Sequence, residues 1–326
     1  MSEAVSANPD PRASRPLWMH LLKLARPTQW SKSAFVLLGP LYHLRDTSEP
    51  AWRVMLPAMV AAAAFSLAAS ACYVVNDLFD IEKDRAHPRK RNRPLAAGYV
   101  TPAQARVWAG GLTIASVLLA MLVAPLSGWS AAGWTLAAIG VYVASVWAYS
   151  LALKHIVMAD VMVLSTGFVI RVLGGCAAVA IVPTTWLLNS TFFLAMFLAF
   201  GKRLGERRVI AVEAEREGRA FDPAAVRGVQ QAYTDDLLRM SVVVTAVATL
   251  LTYAGYVQAQ HDVYVQGFNL LWLTMLPATY ALLRCMVLLE RGTYDDPTEL
   301  AVHDRAFQLA ALIFAAITLF LAAWRG

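Results

Sequence analysis

The sequence predicts an all-α membrane protein that crosses the bilayer several times. Of its 326 residues, 58% are hydrophobic and only 15% are charged, and the mean hydropathy is +0.52. This composition is typical of polytopic membrane proteins and excludes an ordinary soluble domain. The polar residues are concentrated in a few connections between long apolar runs. Together these observations predict a bundle of about nine transmembrane helices around one cytoplasm-facing cavity.

The chain begins with a polar stretch, residues 1–16, that lacks the apolar core of a signal peptide. We therefore expect a disordered N-terminal tail followed by a single transmembrane domain over residues 17–326. Residues 17–26 have an amphipathic pattern with Lys23 and Arg26 on the polar side. This short helix is predicted to lie at the membrane interface.

Nine apolar runs follow, each close to the roughly 20 residues that cross a bilayer. Their predicted limits are 27–44, 51–75, 103–124, 130–150, 157–180, 185–201, 237–257, 268–289 and 305–324. Residues 202–235 separate the sixth and seventh runs and are predicted to form a long charged loop.

The basic residues alternate between the predicted connections. Connections after spans two, four, six and eight carry Lys or Arg, and those after spans three, five and seven carry neither, with Arg45 and Arg53 as exceptions in the first outer connection. Because basic loops favour the cytoplasmic side, we expect the basic connections to be cytoplasmic. We expect the multi-pass chain in the cell inner membrane, with its active site facing the cytoplasm. The net charge of +6 then reflects topology and phosphate binding, not a nucleic-acid partner.

An aspartate-rich motif follows the second predicted span, where residues 76–98 have the sequence NDLFDIEKDRAHPRKRNRPLAAG. Asn76, Asp80 and Asp84 recur every four residues and would share one helical face, which Asp77 flanks. Converging oxygen ligands suit Mg²⁺, which usually takes one or two carboxylates together with substrate phosphates. The motif therefore predicts a Mg²⁺ site made by the three aspartates, and the alternative is a solvated, salt-bridged turn.

A second group of polar residues surrounds the start of the fifth predicted span. Asp160, Gly167 and Arg171 return to nearly the same helical face, because they are spaced by seven and four residues. Tyr149 and Lys154 precede them in the connection YSLALKH. An arginine as deep as Arg171 is costly in a bilayer unless it is paired or hydrated. We predict that it lines a pocket, and the alternative is a structural ion pair.

Further basic residues flank these two groups and are candidates for binding phosphate oxygens. They are Lys90, Arg93, Lys202 and Arg203. Asp235 and Asp236 precede the seventh predicted span, where they would serve as extra metal ligands or as a helix cap. The sequence leaves these two possibilities open.

These motifs resemble the UbiA superfamily of intramembrane prenyltransferases over roughly residues 20–320. The aspartate motif and its HPRKRNRPLAAG tail resemble the first aspartate-rich motif of that superfamily. Four other segments resemble its polyprenyl-phosphate phosphoribosyltransferase branch. They are RPTQWSKSAFVLLGPL, YSLALKHIVMADVMVLSTGFVIRVLGG, FGKRLGE and DDPTELAVHDR.

The resemblance implies transfer of 5-phosphoribose from phosphoribosyl pyrophosphate to a polyprenyl phosphate such as decaprenyl phosphate, with release of pyrophosphate. The lipid phosphate is already a nucleophile, so no activated Ser or Cys is required. An alternative within the same fold is an aromatic prenyltransferase that uses polyprenyl diphosphate, for example a 4-hydroxybenzoate polyprenyltransferase. A lipid-head-group transporter or a structural membrane protein would belong to a different class, and three aspartates in one loop argue against the transporter.

The resemblance implies five roles for the candidate residues. The catalytic carboxylates are Asp77, Asp80, Asp84 and Asp160, the first three of which bind Mg²⁺. The phosphate-binding residues are Lys90, Arg93, Lys154, Lys202 and Arg203. Tyr149 and Arg171 line the pocket, and Asn76 orients the ribose or a metal-bound water. Gln29 and Lys32 act at the lipid phosphate.

Overall fold

A computed structural model describes residues 16–44, 47–86, 90–216, 232–260, 264–294 and 297–324. The predicted disordered tail lies outside the described residues, apart from Pro16. The chain divides into two compact units. The first unit comprises residues 1–44, 48–144 and 174–181, and the second comprises residues 45–47, 145–173 and 182–326.

The predicted all-α class is confirmed, since helices make up nearly all of the regular structure. In chain order they are α1 (Leu17–Ala25), α2 (Leu38–His43), α3 (Ala51–Phe79), α4 (Ile81–Ala86), α5 (Pro102–Met121), α6 (Ala124–Ser127), α7 (Trp129–Leu151), α8 (Ala159–Ala178), α9 (Thr185–Arg216), α10 (Asp235–Gln258), α11 (Met275–Glu290), α12 (Pro297–His303) and α13 (Arg305–Trp324). Short 3₁₀ helices cover Pro27–Leu37, Lys90–Asn92, Leu153–His155 and Leu270–Thr274. Strands β1 (Tyr264–Val265) and β2 (Phe268–Asn269) form one antiparallel pair.

Seven helices in the described part of the chain are long and apolar enough to cross a membrane, which supports a multi-pass membrane protein. They cover Ala51–Phe79, Pro102–Ser127, Trp129–Leu151, Ala159–Ala178, Thr185–Arg216, Asp235–Gln258 and Leu270–Glu290. The predicted ninth span contains a shorter apolar helix, Arg305–Leu321. The predicted first span forms the 3₁₀ helix Pro27–Leu37 and the short α2. The count of nine is therefore not confirmed.

The long charged loop predicted over residues 202–235 is wrong in its first part, because α9 continues to Arg216. The sequence KRLGERRVIAVEAER from Lys202 to Arg216 contains four Arg, three Glu and two Ala, which have high helix propensity. The charged residues of this segment therefore belong to the part of α9 that extends beyond its apolar run. Lys202 and Arg203 consequently lie within a helix instead of opening a loop.

The core of the first unit is built on α3, which packs against α5 and the 3₁₀ helix Pro27–Leu37. Small residues dominate α3 and allow close helix approach, as is common in membranes. The Ser70 hydroxyl donates to the Ala25 carbonyl at 2.7 Å and accepts from the Trp30 indole at 2.9 Å. These hydrogen bonds fix the start of the 3₁₀ helix against α3.

Two adjacent glycines that belong to the first unit, Gly174 and Gly175, allow close packing inside it. A Cβ atom added to Gly175 would lie 1.7 Å from the Val36 carbonyl oxygen, and one added to Gly174 would lie 2.3 Å from the Phe65 ring. Because carbon atoms cannot approach so closely, only glycine permits this packing.

The core of the second unit forms where α9 packs along α10, with α11 against both. Phe197 and Phe200 of α9 are buried together with Leu238 of α10 and Leu289 of α11. Val161, in the first turn of α8, belongs to the same apolar cluster. This core therefore positions the start of α8 and the middle of α9, which carry the charged residues described below.

Candidate functional site

The aspartate motif forms a helix break and not a continuous helix. Helix α3 ends at Phe79, Asp80 caps it with φ −99°, and α4 begins at the next residue. The break changes which side chains converge, because the predicted common face of Asn76, Asp80 and Asp84 required an uninterrupted helix. The Asp80 side chain is 37% exposed and lies 3.6 Å from the Lys83 ammonium.

The structure instead brings Asp77 and Asp84 together around two guanidinium groups. Arg93 Nη1 lies 3.1 Å from Asp77 Oδ1 and 2.7 Å from Asp84 Oδ2. Arg26 Nη2 lies 2.6 Å from Asp77 Oδ1. Both carboxylate side chains are only 5% exposed. We call these four residues the acid cluster, and their formal charges sum to zero.

The turn that follows Arg93 explains the position of its guanidinium. The amides of Tyr99 and Val100 donate to the Pro94 carbonyl at 2.9 and 3.2 Å. Leu95 and Val100 are buried in the core of the first unit, and Gly98 supplies the positive φ of +80° that the turn requires. The PLAAG segment is thus a compact turn that holds Arg93 beside the two carboxylates.

Arg26 is a site residue that sequence reasoning missed. It follows α1 in the left-handed conformation, with φ +53° and ψ +61°, and its guanidinium lies 4.9 Å from the ring centroid of Tyr73. The available signal is its position directly before Pro27, because proline disfavours a helical conformation at the preceding residue. That signal predicts a chain break there, but not the partner of the side chain.

In the part of the chain that the structure describes, no group of three or more His, Cys, Asp or Glu side chains is arranged to hold a metal ion. The acid cluster nevertheless contains a place for a cation, which Arg93 Nη1 occupies between two carboxylate oxygens. The donor set of Asp77 and Asp84 consists of hard oxygen atoms, which suits Mg²⁺. Two of the three predicted metal ligands therefore converge, and Asp80 does not join them.

The second charged group surrounds Asp160 in the first turn of α8. Arg203 Nη2 lies 2.5 Å from Asp160 Oδ2, and Tyr233 Oη donates to Asp160 Oδ1 at 2.7 Å. The backbone N–H of Met158 donates to Tyr233 Oη at 2.7 Å. Asp160, Arg203 and Tyr233, with the Met158 amide, are called the Asp160 cluster below.

Burial in this cluster bears on the predicted roles of Asp160 and Arg203. Asp160 is 0% exposed and Arg203 is 7% exposed. Both oxygens of the carboxylate accept from protein donors, so direct catalysis by Asp160 at a substrate is not supported. Arg203 Nη1 also donates to the Ala199 carbonyl at 2.9 Å, so both terminal nitrogens of the buried guanidinium have protein acceptors. Lys202, the preceding residue, is exposed, because successive residues of a helix point about 100° apart.

Tyr233 remains protonated throughout the physiological range. Burial, the largest cause, and the hydrogen bond to Asp160 raise the pKa of Tyr233, the bond from the Met158 amide lowers it, and the net result is a pKa of about 12. The hydroxyl is therefore a permanent donor to the Asp160 carboxylate.

The remaining candidates are distributed over both units. In the first unit, Gln29, Asn76 and Lys90 are half-buried and Lys32 is exposed. In the second unit, Tyr149 and Lys154 are half-buried.

Arg171 of α8 is 5% exposed. Its Nη1 donates to the Gly167 carbonyl at 3.1 Å, and its guanidinium lies 5.4 Å from the ring centroid of Phe168. These contacts are consistent with its predicted depth in the helix.

The residues at the start of α10 make contacts that the sequence did not predict. Thr234 caps that helix, since its side chain accepts from the Leu237 amide at 3.1 Å. Asp235 lies 2.7 Å from Arg207 Nη2, and Asp236 is 91% exposed and 3.6 Å from Arg239. Both acids are thus ion-pair partners of arginines in the described structure.

Comparison with known proteins identifies the family. The model of the UbiA prenyltransferase family matches residues 33–312. The chain belongs to this family. Its aspartate motif and membrane helices are accordingly features of a UbiA protein, as the sequence resemblance indicated.

Named relatives of this UbiA chain match nearly its whole length. The chain is 34% identical over 319 residues to a protein of Mycolicibacterium smegmatis named decaprenyl-phosphate phosphoribosyltransferase, covering 96% of this chain and 94% of the relative. It is 35% identical over 300 residues to the protein of the same name in Mycobacterium tuberculosis, covering 91% and 92%.

Solved structures show the same fold. A UbiA homolog from Archaeoglobus fulgidus bound to DMAPP and Mg²⁺ superposes with a TM-score of 0.62 at 14% identity, covering 93% of this chain and 99% of that one. The digeranylgeranylglyceryl phosphate synthase structure gives a TM-score of 0.54 at 16% identity, with coverage of 94% and 97%. At such low identity these likenesses establish the UbiA transmembrane fold alone.

Proposed function

We propose that the protein transfers 5-phosphoribose from phosphoribosyl pyrophosphate to a polyprenyl phosphate and releases pyrophosphate. An oxygen of the lipid phosphate forms a bond to ribose C1 while the bond from C1 to the pyrophosphate oxygen breaks. The observation that carries the proposal is the similarity, over nearly the full length of both chains, to proteins named decaprenyl-phosphate phosphoribosyltransferase. We place the reaction at the cytoplasmic face of the cell inner membrane, because basic connections between membrane helices favour the cytoplasmic side.

The acid cluster is the proposed pyrophosphate site. Arg26 and Arg93 carry two positive charges, and both have partly exposed side chains, at 29% and 31%. Guanidinium groups bind phosphate oxygens through strong charge-assisted hydrogen bonds. We therefore assign both arginines to the departing pyrophosphate, together with Lys90, which lies three residues before Arg93. Asn76, in the last turn of α3, is assigned to the ribose.

Mg²⁺ is the proposed cofactor, and the donor set of the acid cluster fits it. Asp77 and Asp84 would hold the ion, with Asp80 as the predicted third ligand at the junction of α3 and α4. When bound, the ion would neutralise charge that develops on the departing pyrophosphate. The solved A. fulgidus relative is bound to Mg²⁺, which supports this assignment.

The other candidates are assigned to the remaining parts of the substrates. Gln29 and Lys32 are assigned to the lipid phosphate, and Tyr149, Lys154, Arg171 and Lys202 to the substrate pocket.

Isotope transfer tests the reaction. Membranes that contain the protein would receive ribose-labelled phosphoribosyl pyrophosphate and polyprenyl phosphate, and label should appear in the lipid fraction. In parallel, labelled prenyl diphosphate would be supplied with 4-hydroxybenzoate. Label on the aromatic acid, without label from phosphoribosyl pyrophosphate in lipid, would establish the aromatic prenyltransferase alternative.

A matched pair of variants tests the site. Asp84→Asn removes one buried carboxylate charge from the acid cluster and should reduce transfer at least 100-fold, as should EDTA. Glu82→Gln makes the same chemical change on the same helix, at a side chain that is 89% exposed, and should retain activity. Asp80→Asn tests the third predicted ligand and should also abolish turnover. Full activity of Asp84→Asn would refute the assignment of the acid cluster.

A further inference from the structure

Tyr233 connects three parts of the second unit that are distant in sequence. Its hydroxyl donates to Asp160 at the start of α8 and accepts from the Met158 amide in the turn before it, both at 2.7 Å. Through Asp160 it is linked to Arg203 in α9. The side chain is 1% exposed, so these contacts are shielded from water.

The turn between α7 and α8 carries Lys154, the proposed phosphate-binding residue. A 3₁₀ helix covers Leu153–His155, and the Ile156 amide donates to the Leu153 carbonyl at 3.2 Å. Met158 then adopts φ +68°. Non-glycine residues seldom adopt a positive φ, and such outliers persist where the surroundings enforce them.

The enforcing contact is the hydrogen bond from Met158 to Tyr233. The Met158 carbonyl in turn accepts from the amides of Val161 and Met162, at 3.1 and 2.9 Å. Met158 is therefore held on one side by Tyr233 and on the other by the first turn of α8. Because the turn is short, fixing its last residue restricts the position of Lys154.

We infer that Tyr233 is a positioning residue, which holds the turn from Leu153 to Met158 so that Lys154 meets a phosphate group of the substrate. The inference rests on the proposed function for the identity of that substrate. Tyr233 itself is buried and contacts no substrate in this proposal. Its permanent protonation keeps the hydroxyl bonded to Asp160, while its oxygen stays available to the Met158 amide.

The kinetic test uses Tyr233→Phe, which removes only the hydroxyl group. We expect the KM for phosphoribosyl pyrophosphate to rise about fivefold with little change in kcat, because weaker ground-state binding raises KM alone. Lys154→Ala should raise KM at least as much. If Tyr233 acts through Lys154, the double variant will match Lys154→Ala, because residues that act as one unit are not additive.

The matched control is Tyr253→Phe. Tyr253 lies on α10, about 27 Å along the helix from its first residue, and its hydroxyl is 2.6 Å from Thr274 Oγ1. Tyr233→Phe loses two hydrogen bonds of the second unit and Tyr253→Phe loses one, and a merely structural role would give neither variant a specific rise in KM. Two results would overturn the inference. One is a double variant whose rise in KM is the product of the rises in Tyr233→Phe and Lys154→Ala. The other is a KM of Tyr233→Phe equal to that of Tyr253→Phe.

Hydrogen exchange provides a readout that does not depend on catalysis. In detergent, Tyr233→Phe should accelerate exchange of the amides from Leu153 to Met158 at least tenfold, and Tyr253→Phe should leave them unchanged. If the wild-type protein transfers no phosphoribose, the proposed function fails while this exchange result still tests the positioning role. If Tyr233→Phe does not fold, exchange is measured on the wild-type protein instead. The Met158 amide should then exchange as slowly as the amides of α8. Fast exchange of the Met158 amide would overturn the inference.

Discussion

Arg93→Met should have opposite effects on the two ligands of the acid cluster. In the structure the Arg93 guanidinium lies between the Asp77 and Asp84 carboxylates, at 3.1 and 2.7 Å. A metal ion that binds these carboxylates must displace it, whereas pyrophosphate gains it as a partner. Removing the guanidinium should therefore strengthen Mg²⁺ binding and weaken binding of phosphoribosyl pyrophosphate.

The magnitude follows from the two hydrogen bonds that Mg²⁺ has to break. A hydrogen bond to a charged group contributes about 1.5–3 kcal/mol. The Arg93 side chain is 31% exposed, and one of its two contacts is long. We therefore assign about 1.5 kcal/mol to the pair, the lower limit for one such bond. Since about 1.4 kcal/mol corresponds to a factor of ten in affinity, Mg²⁺ should bind Arg93→Met roughly tenfold more tightly.

Thermal unfolding in detergent measures this effect without catalysis. A ligand of the folded state raises stability with its concentration relative to Kd, so titration with Mg²⁺ gives an apparent affinity for each variant. Arg91→Met is the control, because it removes an exposed arginine from the same segment. Weaker Mg²⁺ binding by Arg93→Met than by Arg91→Met would show that Arg93 does not occupy the place of the metal, and the reasoning would be refuted.

Two other predictions concern the ion pair of the second unit and the topology. Arg203→Met leaves the buried Asp160 carboxylate without its cation, which should cost about 3–5 kcal/mol of stability; adding Asp160→Asn should recover much of the loss in thermal unfolding. A single variant that melts like the wild type would contradict this. Cysteines placed at Ser127 and at Arg91, in a background without the three native cysteines, should react with an impermeant reagent from opposite sides of the membrane. Reaction from the same side would disprove the predicted topology.

The fold class and family could be predicted from the sequence because they depend on local properties. Apolar runs of about 20 residues predict membrane helices wherever they occur, and seven of the predicted spans correspond to helices that meet this criterion. The first span differs because Pro40, inside it, lacks the amide hydrogen that a continuous helix uses. Helix α9 exceeds its predicted end because helix propensity does not stop where hydrophobicity does.

The sequence by itself determined that Asp77, Asp84 and Arg93 belong to one motif, since they lie within 17 consecutive residues. It did not determine which of the aspartates converge, because that depends on the helix break at Asp80. Only the tertiary structure decided that Arg26 joins the acid cluster from 51 positions away. The same holds for Tyr233, whose partner Asp160 lies 73 positions earlier. Helical periodicity relates residues a few positions apart, whereas contacts between helices depend on packing that no local pattern specifies.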